Sequence, residues 1–119
     1  MADNIIKVKS FNFALRIVKL YQFLSIEKKE FVLSKQLLRS GTSIGALVRE
    51  SEQAESKQDF IHKLAIAQKE ANESDYWLEL LFQSDILNDV QYHSLKTDIV
   101  EINKILASII ITTKQNLKK

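Results

Sequence analysis

The chain has no cysteine and no proline, and only two glycines among its 119 residues. Without cysteine there can be no disulfide scaffold, no thiolate-based zinc site and no cysteine nucleophile. So few turn-forming residues make the many hairpins of an all-β fold hard to build. The same scarcity suits long helices, which proline would kink or end. Long hydrophobic runs are also lacking. The best apolar window, residues 105–113, is flanked by Lys104 and Lys114 and falls well short of the ~20 residues of a membrane span. The opening MADNIIKVKS has no apolar core of the kind a signal peptide carries. A soluble, cytoplasmic protein with no membrane association is expected.

An excess of one charge is absent too: the net charge is +2. Its distribution is uneven. Residues 1–39 hold eight Lys/Arg against three Asp/Glu, residues 40–89 hold four against ten, and residues 90–119 hold five against two. Antiparallel helices of opposite charge lying side by side would explain this. So would a basic surface made by both chain ends, which would attract nucleic-acid phosphates.

What is present is ordinary for a globular protein: 45% apolar and 27% charged residues. The length is that of one domain, and such a domain buries roughly two-thirds of the surface of its unfolded chain. Apolar periodicity predicts four helices, at about 10–25, 30–54, 56–84 and 88–115. In the first, Phe11, Leu15, Val18 and Gln22 form one line and Phe13, Ile17, Leu20 and Leu24 another, read together as a wide apolar stripe, with Ser10 as the cap. Leu33, Leu37, Ile44, Leu47 and Val48 are the spine of the second. Gly41 and Gly45 lie four apart inside it, where each costs roughly 1 kcal/mol relative to alanine. Either a neighbouring backbone approaches closely there, or Gly41 divides the segment into two short helices. Ser56 to Asp59 resembles a capping box for the third helix, whose face runs through Phe60, Leu64, Ala67, Ala71, Leu78 and Leu81. Asn88 caps the fourth, with Leu95, Ile99, Ile102, Leu106, Ile109 and Thr113 as its spine.

Four amphipathic helices with short loops imply an all-α, up-down-up-down antiparallel four-helix bundle in a single domain. Phe23, Ile66, Trp77, Leu80 and the extra isoleucines of the last helix exceed what one core needs. A monomer rarely leaves a large contiguous apolar patch in water, so self-association into a homo-oligomer is expected.

No constellation carries chemistry. Glu70 and Glu73 lie one helix turn apart, but no histidine stands where the Glu-x-x-His of a di-iron bundle requires it. Asp89 and His93 pair only at the start of the last helix. Ser43 stands in the spacing Gly41-Thr42-Ser43-Ile44-Gly45, but within a helix pattern rather than on the strand-to-helix turn of a nucleophile elbow, and Ser40-Gly41-Thr42-Ser43 does not have the form of a phosphate-cradling loop. His62 and His93 read as solvated or packing residues. No metal, no cofactor and no enzymatic activity are expected; a ferritin-like metalloenzyme is the reading that metal analysis would test. Arg39 with Glu70 and Glu73 reads as a structural pair fixing the second helix against the third, since a guanidinium fork suits carboxylates. Glu50 and Arg49 belong to the same neighbourhood, and Trp77 reads as a packing anchor. The positive signal for a partner is basic. Lys7, Lys9, Arg16, Lys19, Lys28 and Lys29, with Lys114, Lys118 and Lys119 at the far end, are candidate nucleic-acid contacts, and Lys35 and Arg39 lie among them. No helix-turn-helix or RNA-recognition signature accompanies them.

The run RSGTSIGALVRESEQAESKQDFIHKLAIAQKEANESDYWLELL resembles the central signature of the bacterial four-helix-bundle family named after the 23S rRNA intervening-sequence protein. The matching positions are Arg39, Ser40, Ser43, Ile44, Glu50, Ser56, Phe60, Leu64, Ala67, Glu70 and Glu73. Leu47 and Ser51 depart from the Asn and Gly that many members carry there. The resemblance implies a small bundle that assembles as a ring, with a pentamer as the expected size, and no enzymatic activity. Some relatives are encoded within ribosomal RNA genes, hence a ribosomal-protein-like label. The accessory variability determinant of diversity-generating retroelements resembles this fold and works with a reverse transcriptase and RNA. The expected function is therefore a non-catalytic, homo-oligomeric binding or scaffold module, for RNA, DNA or a nucleic-acid enzyme. The alternative is a protein-interaction adaptor that binds no nucleic acid.

Overall fold

A computed structural model describes residues 2–118. Four helices account for most of them: α1 (Ala2–Ile26), α2 (Leu33–Ser51), α3 (Lys57–Gln83) and α4 (Asp89–Leu117). They form the expected all-α bundle, 52 Å long and 22 × 20 Å across. Each helix packs on its sequence neighbour and α4 closes back onto α1 through the thinnest seam, while α1 and α3 stand diagonally opposite with no backbone approach.

The helix starts obey simple capping chemistry. Ser56 accepts from the Asp59 backbone N–H at 3.0 Å, while the Asp59 carboxylate reaches past it to the Glu55 N–H at 3.2 Å. Asn88 and Gln91 form a complete reciprocal box. The second helix starts three residues later than predicted because Glu30 is its cap rather than its first residue. The Glu30 carboxylate accepts from the N–H groups of Val32, Leu33 and Ser34 at 3.1, 3.0 and 2.7 Å. Partial burial opposes ionisation of this carboxyl, but the three N–H donors outweigh it and hold its pKa below the ordinary 4.5.

The glycines are where the close-approach reading put them. The helix α2 is continuous through both. A Cβ on Gly41 would stand 2.9 Å from Ile17 Cγ1, and one on Gly45 would stand 3.3 Å from the Ser10 carbonyl oxygen. The backbones of α1 and α2 therefore cross at Ser10 and Gly45. Neither glycine serves a turn: the left-handed positions, Lys29 (φ 55°) and Asp85 (φ 63°), are occupied by larger residues just past the ends of α1 and α3.

Two expectations for α1 are corrected. The helix begins at Ala2, not at Ser10, and Ser10 is buried in its interior, donating to the Lys7 carbonyl at 3.3 Å. The two apolar lines are also not one stripe. At 3.6 residues per turn, Phe11 and Phe13 stand about 200° apart. Phe13, Ile17, Leu20 and Leu24 enter the core, whereas Val8, Phe11, Leu15 and Val18 face outward, 38–57% exposed. The spines of α3 and α4 are buried as predicted, apart from their half-buried ends Phe60 and Thr113. Of the surplus apolar residues, Phe23 and Ile111 are exposed, Ile66, Trp77, Leu80 and Ile105 are half-buried, and Ile110 joins the core.

Candidate functional site

The basic residues of α1 fall into two groups by their position around the helix. Lys7, Lys9 and Arg16 turn toward neighbouring helices and are ion-paired. Lys7 Nζ lies 3.2 Å from Glu52, Lys9 Nζ lies 2.8 Å from Glu101, and Arg16 Nη1 lies 2.6 Å from Asp98. Arg16 also donates to the Ser94 hydroxyl at 2.8 Å. These contacts stitch α1 to α4 and to the residue just past the end of α2. Lys19, Lys28, Lys29 and Lys35 are exposed, as are Lys114 and Lys118; Lys119 lies outside the described residues.

Antiparallel topology sets their spacing. Lys7, Lys9, Lys114 and Lys118 share the end of the bundle that holds both termini. Lys28, Lys29 and Lys35 sit at the opposite end, separated by roughly 25 Å of α1. One protomer therefore carries two basic ends rather than one continuous basic face.

The Arg39 cluster is assembled as the sequence suggested. Its guanidinium spans two carboxylates on α3, with Nη2 donating to Glu73 Oε1 at 2.9 Å and Nη1 lying 3.3 Å from Glu70 Oε1. The fork is thus shared between two acids rather than bidentate on one. The second contact is an ion pair without hydrogen-bond alignment, so Glu70 Oε1, shielded from solvent, has no hydrogen-bond partner. Glu50 pairs instead with Lys63 at 3.4 Å, and Arg49 lies over the Phe11 ring, 5.2 Å from its centroid. Ser43 donates to the Arg39 carbonyl at 2.6 Å, which keeps that hydroxyl within its own helix. Trp77 packs against the core with its edge to Tyr76, ring centroids 5.1 Å apart. Its indole N–H is shielded from solvent and also has no partner.

Three features of this region escaped the sequence reading. Ser40 and Ser74, both fully buried, place their hydroxyl oxygens 2.9 Å apart between α2 and α3. Lys96 holds both oxygens of Asp75 at 2.7 Å across the α3–α4 seam. Those hydrogen bonds, working against partial burial, raise the lysine above its ordinary 10.5. The outward stripe of α1 is the third. Its signal was present in the angular spacing of Phe11 and Phe13.

At the terminus-bearing end, a cavity of about 460 Å³ opens between Ile6, Val48, Phe60, Leu64 and Ile109, with Glu52 and Lys57 at its rim. Among the described residues no group of three or more His, Asp or Glu side chains is placed to hold a metal ion. His62 and His93 are exposed, and His93 sets its ring edge against Phe82 and Tyr92. No helix among the described residues is long and apolar enough to cross a membrane.

The chain as a whole matches a known family. Residues 2–108 match the family described as 23S rRNA-intervening sequence protein. The chain belongs to this family. A crystal structure of a protein of unknown function from the S23 ribosomal protein family, from Bacteroides thetaiotaomicron VPI-5482, is 62% identical. It superposes with a TM-score of 0.91, and the match covers 92% of this chain and 98% of that one. No curated protein matches the chain. The intervening-sequence family thus accounts for the four-helix bundle.

Proposed function

We propose that this intervening-sequence family protein is a non-catalytic scaffold that acts in the cytoplasm as a homo-oligomer. One observation carries the proposal: α1 is apolar on two opposite faces, and a single protomer covers only one of them. An exposed line of Val8, Phe11, Leu15 and Val18 is a surface that soluble monomers avoid. A closed ring is the assembly that the family resemblance supports, and a pentamer is its expected size.

In this reading the exposed lysines make the functional contacts. Lys19, Lys28, Lys29, Lys114 and Lys118 are solvent-facing and are repeated in every copy. Weak phosphate contacts then add through avidity. Lys7, Lys9 and Arg16, already engaged with carboxylates, contribute less. Single-stranded or duplex RNA or DNA, presented alone or by a nucleic-acid enzyme, is the partner class that such a surface suits. The family's name is consistent with RNA without identifying one. Gel-shift titration with generic RNA and DNA at two salt concentrations tests this. Binding that weakens steeply with salt is expected, and no binding at low salt removes the nucleic-acid part. The exposed α1 stripe also favours a second reading, a protein adaptor. A protein partner whose capture survives nuclease treatment would support it.

A further inference from the structure

The cavity at the terminus-bearing end takes no part in the scaffold reading. We infer that it binds one molecule of a free fatty acid of medium chain length, tail inward, with the carboxylate at Lys57. The cavity lies where α2 turns into α3, between the start of α1 and the last turns of α4. Ile6 of α1, Val48 of α2, Leu64 of α3 and Ile109 of α4 are the buried side chains that wall it. Phe60, expected in the core, stands half-buried at its side. The volume of about 460 Å³ lies within the range of small-molecule pockets, roughly 300–1,000 Å³. The mouth is lined by Ser51, Ala54 and Ser56, and no large apolar side chain crosses it. Seven residues of α3 separate Lys57 at the rim from Leu64 at the floor, roughly 10 Å of helix. An alkyl chain of medium length spans that depth and covers the apolar wall.

The rim selects the head group. Ser51 spends its hydroxyl proton on the Val48 carbonyl at 2.6 Å, and Glu52 is paired with Lys7 at 3.2 Å. Lys57 is exposed and, among the described residues, has no carboxylate within ion-pair distance. Ser56 accepts from the Asp59 N–H at 3.0 Å, and its own proton has no acceptor among the described residues. An unpaired ammonium and a free hydroxyl donor therefore stand at the mouth of an apolar cavity. That arrangement complements a carboxylate on an alkyl chain.

Two rival occupants fit the rim less well. A dianionic phosphate head would lie against Glu52, which shares the rim with Lys57. A monoanion meets less of that repulsion. A second copy would offer its exposed apolar loop, Phe31 and Val32, from the opposite end of the bundle. That loop sits among the exposed Lys28, Lys29 and Lys35, so docking it here brings like charge onto Lys57.

Calorimetric titration of the full chain with hexanoate, octanoate and decanoate, each below its micelle concentration, tests this, with octan-1-ol alongside. One fatty acid per chain is expected, with affinity rising about threefold to fourfold for each added methylene. In methyl NMR spectra, decanoate should move the signals of Ile6, Val48, Leu64 and Ile109 and leave those of Leu15 and Val18 in place. Lys57→Glu, at an exposed position, should weaken octanoate about tenfold and leave octan-1-ol unchanged. Ala54→Phe fills the mouth and should abolish binding of both. If that variant loses helical circular dichroism, the methyl signals of the wild type decide alone. Absence of saturable binding overturns the inference. So do signals that move only on the α1 stripe, which would mean that the tail adheres to any exposed apolar face. Octanoate bound equally by Lys57→Glu and wild type overturns it too. Cavity signals that move with protein concentration alone, without fatty acid, would mean that a second copy fills the site and would also overturn it. None of these readouts depends on the mass of the assembly, so the scaffold reading stands or falls separately.

Discussion

The inner and outer faces of α1 are made of the same kinds of residue and meet opposite surroundings. Phe13, Ile17 and Leu24 are at most 1% exposed, while Phe11, Leu15 and Val18 are 38–46% exposed. Composition does not separate the two lines; angle does. The inner line turns toward α2 and its glycines, where Ile17 fills the space above Gly41. The outer line meets no core of its own protomer; only Arg49 of α2 reaches it, over the Phe11 ring. A helix that is apolar all round belongs in a core or an interface, and within one protomer only half of this one is in a core.

The largest effect should separate the two lines. Phe13→Ala empties a fully buried site and is expected to cost about 3–5 kcal/mol in chemical denaturation. Leu15→Ser, measured at a dilution where protomers are separate, should stay within about 0.5 kcal/mol of wild type. Comparable losses at the two positions would erase the distinction between the faces.

Next in size is the glycine seam beneath the inner line. Gly41→Ala would place a methyl 2.9 Å from Ile17 Cγ1. Overpacking costs about 1–3 kcal/mol, against about 1 kcal/mol gained in helix propensity, so a net loss is expected. Ile17→Val in the same chain should recover part of it, because the crowding atom lies on Ile17.

A smaller effect lies at the turn that lets α2 return along α1. Glu30→Gln weakens the cap on three N–H groups and should cost about 0.5–2 kcal/mol at neutral pH. The native carboxyl titrates below 4.5. Its contribution is therefore full above the unfolded-state value and fades as the pH falls through the folded one. The stability gap between wild type and Glu30→Gln should be flat near neutrality and shrink on acidification. A gap that widens in acid would reverse the assignment.

The smallest effect is at Arg39. The guanidinium side chain is 52% exposed, so Arg39→Ala should lower protomer stability by no more than about 1 kcal/mol. If neither thermal stability nor solution mass changes, the pair with Glu70 and Glu73 has no structural role.

Much of the fold was legible because helix periodicity is a local signal. The spines of α3 and α4, the caps Ser56 and Asn88, and the tight crossing at Gly41 and Gly45 can all be read along the chain. The Arg39–Glu70–Glu73 cluster was also legible, since unlike charges on two predicted helices have few other partners. Glu30 was not, because a cap acting from outside the helix resembles a first-turn acid. The Ser40–Ser74 contact was not either: a buried serine differs from an exposed one only in its tertiary neighbour. The outer line of α1 was not legible as a separate face, because two lines that each repeat at helical spacing read as one wide stripe although they lie about 200° apart. For the basic residues, the sequence counts charges but does not say which are matched across a seam, as Lys9 and Arg16 are with α4.

A scaffold of this kind requires the uncovered face of α1 to be covered by another copy. Sedimentation equilibrium of the wild-type protein over a wide concentration range measures this most directly. A mass of several chains, falling toward one on dilution or holding at a fixed multiple, is the predicted result. A mass of one chain at every concentration would mean that Val8, Phe11, Leu15 and Val18 stand in water without a partner copy, and would contradict the account.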